Sequence, residues 1–202
     1  MKGFFNVNVK VGREIGILGE TYSNPWVTVM QHKDVSSALN LLKTENNPER
    51  IIEIGTAYGG FTYLLTQTFP DAKVYSFDVE TRDGVIALAF DLDFYYFKED
   101  ITSTDALSRL VPKEGQTIVF CDGGNKLKEF NKVAPMLKKG DIILVHDYSI
   151  TMDYFEKEIN GKIWDWCEIT GEQLVDTIET YGLTPYMQDE FQSVVWGCFI
   201  KE

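Results

Sequence analysis

The stretch that most constrains the fold is Arg50 to Leu65, RIIEIGTAYGGFTYLL. Ile51, Ile52 and Ile54 form a short β-branched run suited to a strand buried on both faces, and the run stops at glycines. Thr56 to Gly60 make a glycine-rich turn, after which Leu64, Leu65 and Phe69 recur at helical spacing. A strand, a tight turn and a helix follow one another. A ligand approaches a backbone closely only where no Cβ intervenes, and a helix N-terminus offers unpaired N–H groups.

The dinucleotide fingerprint G-x-G-x-x-G would place a pyrophosphate on that helix end. Here the spacing is E-x-G-x-x-x-G-G, through Glu53, Gly55, Gly59 and Gly60. A carboxylate near the strand end suits a cationic ligand group better than a pyrophosphate. The plainer alternative is that these glycines only let a helix turn tightly onto a sheet.

Glu53-Ile-Gly55-Thr56-Ala57-Tyr58-Gly59-Gly60 resembles motif I of class I S-adenosylmethionine-dependent methyltransferases. The continuation to Tyr148 resembles the branch holding the cephalosporin hydroxylase-like and macrocin O-methyltransferase-like proteins, relatives of catechol O-methyltransferase. The resemblance implies a Rossmann-like, doubly wound, mostly parallel seven-stranded α/β sheet with an antiparallel C-terminal hairpin. It also implies that Glu53 and Gly55 to Gly60 bind S-adenosyl-L-methionine.

Length allows one substantial core, so residues 1–202 are expected to form one domain. Residues 1–49 would be an N-terminal cover and helix, 50–148 the cofactor-binding core, 149–170 a lid or acceptor insertion, and 171–202 a closing helix and strands. No run is long enough to cross a bilayer and the start has no signal-peptide segment, so a cytoplasmic protein that does not meet a membrane is expected. Cys121, Cys167 and Cys198 lack C-x-x-C pairing and read as reduced structural residues. A formal net charge of −12 opposes a nucleic-acid partner, because phosphate neutralisation needs clustered Lys and Arg.

In the first thirty residues, Phe4, Val7, Val9 and Val11 suggest an extended segment, and Asn24-Pro25 a turn before the apolar run 26–30. This segment is expected to pack on the sheet or to cover one end of the ligand pocket. Asp34 to Leu42 reads as a helix with Asp34 as N-cap. Further strands are expected at 74–77, 94–97, 117–121 and 141–145, with helices at 84–91, 103–110, 126–137 and 171–181 and antiparallel strands at 184–188 and 193–200. Parallel strands joined by helices place ligands over their carboxyl ends.

Acids fall at those ends. Asp78 closes the second strand, where a carboxylate can accept from both ribose hydroxyls; Glu80 is the second choice, and a solvated loop acid is the alternative. By the resemblance, Asp100 and Ile101 flank adenine, although Asp100 also suits a helix cap. Asp122 and His146-Asp147 end two strands that the topology brings together, and such a group can hold a divalent metal. In the resembled macrocin-type enzymes the corresponding acids bind magnesium.

Two departures stand out. His146 occupies the place of an acid, and imidazole suits zinc, iron or manganese better than magnesium. Asn125 stands where many relatives carry a histidine base, so His146 or Lys126 would have to take the proton, or a metal would acidify the hydroxyl. The alternative is that Asp122 touches the amino-acid part of the ligand while His146 packs structurally. Tyr154, Phe155, Trp164 and Trp166 furnish either a lid over a small-molecule acceptor or a homo-oligomer contact.

The expected activity is therefore S-adenosylmethionine-dependent O-methylation of a small hydroxylated molecule, with His146, Asp122 and Lys126 as the catalytic group. A catalytically silent S-adenosylmethionine-binding module is a rival. An NAD-dependent oxidoreductase is another, against which the glycine spacing argues.

Overall fold

The computed structural model describes residues 5–8, 15–18, 27–111 and 113–202. Phe4, Val9, Val11 and the Asn24-Pro25 turn lie outside the described residues. The chain begins with an antiparallel sheet of β1 (Phe5–Asn8), β2 (Ile15–Leu18) and β3 (Val27–Met30). Helix α1 (Val35–Glu45) follows, burying Val35, Ala38, Leu39 and Leu42; Asp34 stands at its N-cap position but makes no side-chain cap bond.

The alternating part then runs β4 (Arg50–Ile54), α2 (Gly60–Thr68), β5 (Lys73–Asp78), α3 (Val85–Leu92), β6 (Tyr95–Lys98), α4 (Ala106–Leu110), β7 (Thr117–Cys121), α5 (Lys126–Val133) and β8 (Ile142–His146). After the two-residue β9 (Tyr148–Ser149) come α6 (Met152–Tyr154) and a π-helical turn, Phe155–Ile159. The two-residue β10 (Ile169–Thr170) pairs in parallel with β9, so residues 150–168 leave and return to the same place. The chain closes with α7 (Gly171–Tyr181), β11 (Leu183–Pro185), α8 (Gln188–Gln192) and β12 (Trp196–Lys201).

The main sheet has the order β11-β12-β8-β7-β4-β5-β6. Strands β4 to β8 are parallel, while β12 runs antiparallel to both β8 and β11. Both faces are covered, and the alternation of strand side chains shows how. Ile51, Val74, Ile118, Phe120, Ile142 and Leu144 pack with α1, α2 and α8, whereas Ile52, Phe77, Val119, Ile143 and Val145 pack with α4, α5 and α7. Continuous β-branched runs are what a sheet buried on both faces requires.

Local breaks have local causes. The helix expected over 126–137 stops at Val133 and continues as a 3₁₀ turn, Ala134–Met136. Pro135 lacks the N–H that an α-helix would use and would clash with the preceding turn. Between β11 and β12 the chain forms α8 in place of a direct hairpin, and the expected strand at 193–200 begins only at Trp196 because Val195 is held at φ 59°. Helix α4 likewise starts at Ala106 and not at Ser103. All three cysteines are free, with Cys121 and Cys198 buried.

Candidate active site

A cavity of about 450 Å³ opens over the carboxyl ends of β4, β5, β6 and β7. Its walls include Gly55 and Ala57 after β4, Asp78 as the last residue of β5 with Val79 after it, Asp100 to Thr102 after β6, and Asp122 to Asn125 after β7. The glycine turn makes this space possible. Gly55 has φ 101°, and a Cβ there would collide with the Asp122 backbone, so the glycine lets the ends of β4 and β7 close on each other. Gly59, at φ 79°, is the N-cap of α2 and offers no side-chain cap to its N–H groups, and Gly60 is the first helical residue. Ala57 is also left-handed, at φ 45°, strain of the kind that collects at binding turns.

The other motif I residues divide between two levels. Glu53 is fully buried beneath the cavity and does not line it. Its Oε2 accepts from the Thr62 and Ser76 hydroxyls, and Ser76 is also joined to Thr56 Oγ1 at 2.6 Å. Burial pushes the Glu53 carboxyl up to about 8, against those two hydrogen bonds and with the help of the Asp122 and Asp78 charges. Tyr58 points outward, with Arg82 5.9 Å from its ring centre.

Asp78 is fixed from behind. Ala57 N–H donates to its Oδ2 at 2.7 Å and Glu80 N–H to its Oδ1 at 3.0 Å, leaving further lone pairs for a ligand. Glu80 turns its own carboxylate to Arg82, at 2.9 Å. The exposed Asp100 accepts from both the N–H and the hydroxyl of Thr102, at 2.8 and 2.7 Å, and these bonds hold its carboxyl below the usual range. Ile101 beside it is buried against the cavity wall. Asp78, Asp100 and Asp122 outweigh Arg82 and Lys128 here, so the cavity suits a ligand with positive charge.

Asp122, at the end of β7, joins the cavity to a buried polar cluster. Its Oδ1 pairs with His146 Nδ1 at 2.9 Å, and its Oδ2 accepts from Gln31 Nε2 at 2.7 Å. Gln31 in turn accepts from Trp196 Nε1 at 2.9 Å, so the residue just past β3 reaches the site. Asp147, left-handed at φ 53°, accepts from Trp164 Nε1 at 2.7 Å. His146 Nε2 is buried with no hydrogen-bond partner among the described residues, and its ring lies 4.7 Å from that of Trp196. Burial opposes a charge on His146, but Asp122 and Asp147 outweigh it and push its pKa up.

Lys126, almost fully buried, sits among these acids. Its Nζ lies 2.7 Å from Glu168 Oε2, 3.1 Å from the Gly123 carbonyl, 3.3 Å from Asp147 Oδ2 and 3.8 Å from Asp122 Oδ1. Burial again works against the charge, yet the three carboxylates prevail and hold the lysine protonated well above its ordinary range. That opposes its use as a base. Asn125 caps α5, accepting from Lys128 N–H at 3.0 Å, and Glu129 holds the loop through the Gly123 and Asn125 N–H groups at 3.1 Å.

Asp122, His146 and Asp147 do gather, with one donor atom from each within 4.8 Å of the others. They do not fit a divalent cation as they stand. The Asp122 and Asp147 oxygens already accept N–H bonds or face the Lys126 ammonium, and His146 Nδ1 is turned to a carboxylate. Gln31, Trp164 and Glu168 were not foreseeable from motifs. Gln31 is 91 residues from Asp122, and no local pattern links them.

A parallel sheet of this order, an antiparallel last strand and a cavity over the glycine turn define the class I methyltransferase fold. Residues 33–148 match the FtsJ-like methyltransferase family model, and the chain belongs to that family. Among solved structures, CmcI without ligand superposes with a TM-score of 0.60 at 12% identity, covering 90% of this chain and 75% of that one. A CmcI structure described with Mg and SAM gives 0.57 at 12% identity, covering 90% and 76%. An O-methyltransferase family protein from Burkholderia thailandensis gives 0.55 at 9% identity, covering 83% of this chain but 56% of its own. The chain thus spans little more than half the length of that protein. Curated protein sequences yield no match.

Proposed function

We propose that this methyltransferase transfers the methyl group of S-adenosylmethionine to an oxygen of a small hydroxylated molecule. The observation that carries the reading is the cavity itself: Gly55 and Ala57 at one wall, Asp78 presented by two backbone N–H groups, Ile101 at another wall, and Asp122 where the cavity meets the buried cluster. Asp78 would accept from the ribose hydroxyls, Ile101 would pack on adenine, and the acidic lining favours a sulfonium. The SAM of the CmcI structure and the O-methyltransferase name of the Burkholderia protein are properties of those proteins; they agree with this assignment, whereas the Mg of the CmcI structure finds no fitting donor set here.

The transfer is an in-line displacement. The acceptor oxygen supplies the electron pair of the new C–O bond, the C–S pair leaves with sulfur, and the acceptor proton passes to the Asp122–His146 pair. Asp122 faces the cavity, and His146 holds its Oδ1 from behind. Positioning supplies much of the acceleration.

Calorimetric titration with S-adenosylhomocysteine tests the pocket. Asp78→Ala is expected to weaken binding by roughly 1.5–3 kcal/mol for each charge-assisted hydrogen bond lost. Unchanged affinity would remove Asp78 from the ribose role. Incubating labelled S-adenosylmethionine with a panel of hydroxylated metabolites tests the acceptor class. A catalytically silent binding module is the second reading, favoured by the use of Asn125 as a helix cap and of Lys126 as a fixed cation. Failure of the whole panel despite tight S-adenosylhomocysteine binding would select it, and a thermal shift with NAD alone would select an oxidoreductase.

A further inference from the structure

We propose that the Lys126 ammonium is the resident cation of this site and that its charge keeps a divalent metal from the Asp122, His146 and Asp147 group. Its activity arm rests on the methyltransferase reading; its metal-binding arm does not.

Three carboxylates, from the end of β7 (Asp122), the residue after β8 (Asp147) and the residue before β10 (Glu168), converge on one ammonium, and the Gly123 carbonyl adds a fourth oxygen. Only the ammonium and Asp147 are buried, with Asp122 half-buried and Glu168 at the exposed rim, and acids gathered this closely repel unless a cation compensates them. Here the cation is covalently part of α5, delivered by a helix whose first residue is Lys126. It is compact, carries several donors and suits a shell of oxygens at about 3 Å. A divalent ion drawn to Asp122 and Asp147 would have to sit beside this ammonium or expel it, while sharing the carboxylates with the bonds from Gln31 and Trp164. His146 adds to the mismatch on the side of Nδ1, which is engaged with Asp122 Oδ1.

The arrangement makes an unusual prediction: the lysine suppresses a metal site that its removal should create. In Lys126→Ala, the acids lose their counter-charge and the space of the side chain becomes free. The experiment is Mn²⁺ titration followed by calorimetry and by electron paramagnetic resonance, together with metal analysis of the protein as purified. Wild type is expected to purify without stoichiometric divalent metal and to bind Mn²⁺ at this site about tenfold or more weakly than Lys126→Ala, the effect of removing a repelling charge. Asp147→Asn added to Lys126→Ala should abolish the gained binding, which separates this site from adventitious surface acids. Lys126→Met, which keeps the bulk without the charge, serves as the second variant if Lys126→Ala does not fold. Stoichiometric metal in the wild type, or wild-type Mn²⁺ binding as tight as that of both variants, overturns the proposal. So does turnover that a chelator abolishes and Mn²⁺ restores. S-adenosylhomocysteine affinity, measured in parallel, reports on the pocket separately: its absence in wild type would defeat the methyltransferase reading and leave the metal result standing.

Discussion

At the scale of single residues, Glu53 is a motif position that lies behind the cavity lining. It follows a strand pattern and sits two residues before the first glycine, and it is fully buried between β4 and α2, bonded to Thr62 and Ser76. Its pKa of about 8, against an ordinary 4.5, means that the folded protein holds a proton that the unfolded chain releases. Stability from this group is fully present below about pH 4.5 and is lost as pH rises through about 8. The slope between those limits is at most about 1.4 kcal/mol per pH unit. Glu53→Gln keeps the shape and is neutral throughout, so this slope should vanish from its urea-unfolding free energies and the variant should equal or exceed wild type above pH 8. Parallel stability curves for the two proteins would mean that the carboxyl does not change its protonation on folding.

Among elements, the strands with β-branched or aromatic runs were legible because burial on both faces leaves few polar positions; β4, β7 and β8 fall within a residue of where the sequence puts them. Pro135 was equally visible, and its effect on the helix is a matter of sterics that periodicity alone passes over. The site cluster was only half legible. Asp122, His146 and Asp147 stand at strand ends that topology must bring together, whereas Gln31, Trp164 and Glu168 arrive by tertiary contacts that leave no local mark. The excursion over 150–168 is the clearest case. Its aromatics suit a lid or an oligomer contact equally, and in the fold Trp164 joins Phe155, Ile159 and Val195 in a small apolar cluster while its indole N–H binds Asp147. Trp164→Phe preserves much of the packing and removes that donor from a nearly buried carboxylate. The excursion should then open more readily, by about 1.5–3 kcal/mol, as read by native-state hydrogen exchange of its amides. Exchange unaltered in 150–168 would show that packing, and not the bond to Asp147, holds this segment down.

Over the whole molecule, charge bears on what kind of acceptor the proposed activity would take. The chain carries 31 acidic residues against 19 Lys and Arg, and two of the lysines nearest the cavity are already committed. Lys128 Nζ donates to Thr102 Oγ1 at 2.8 Å, and Lys132 Nζ to the Thr102 and Thr104 carbonyls at 2.8 and 3.0 Å, so both brace the loop after β6. A polyanion nearing the cavity would meet Asp78, Glu99, Asp100 and Asp122 with Arg82 and Lys128 as counterweights. Binding of nucleic acid draws most of its affinity from phosphate neutralisation and counterion release, and this surface offers little of either. Fluorescence anisotropy with a labelled single-stranded RNA is therefore expected to show no saturable binding at physiological salt, whether or not S-adenosylhomocysteine is present. A small hydroxylated acceptor needs no such surface; it needs only to reach the space beside Asp122. Saturable RNA binding in the micromolar range, weakening with salt and lost in Arg82→Ala, would favour nucleic acid over the proposed small molecule as acceptor and would not bear on the proposed cofactor pocket.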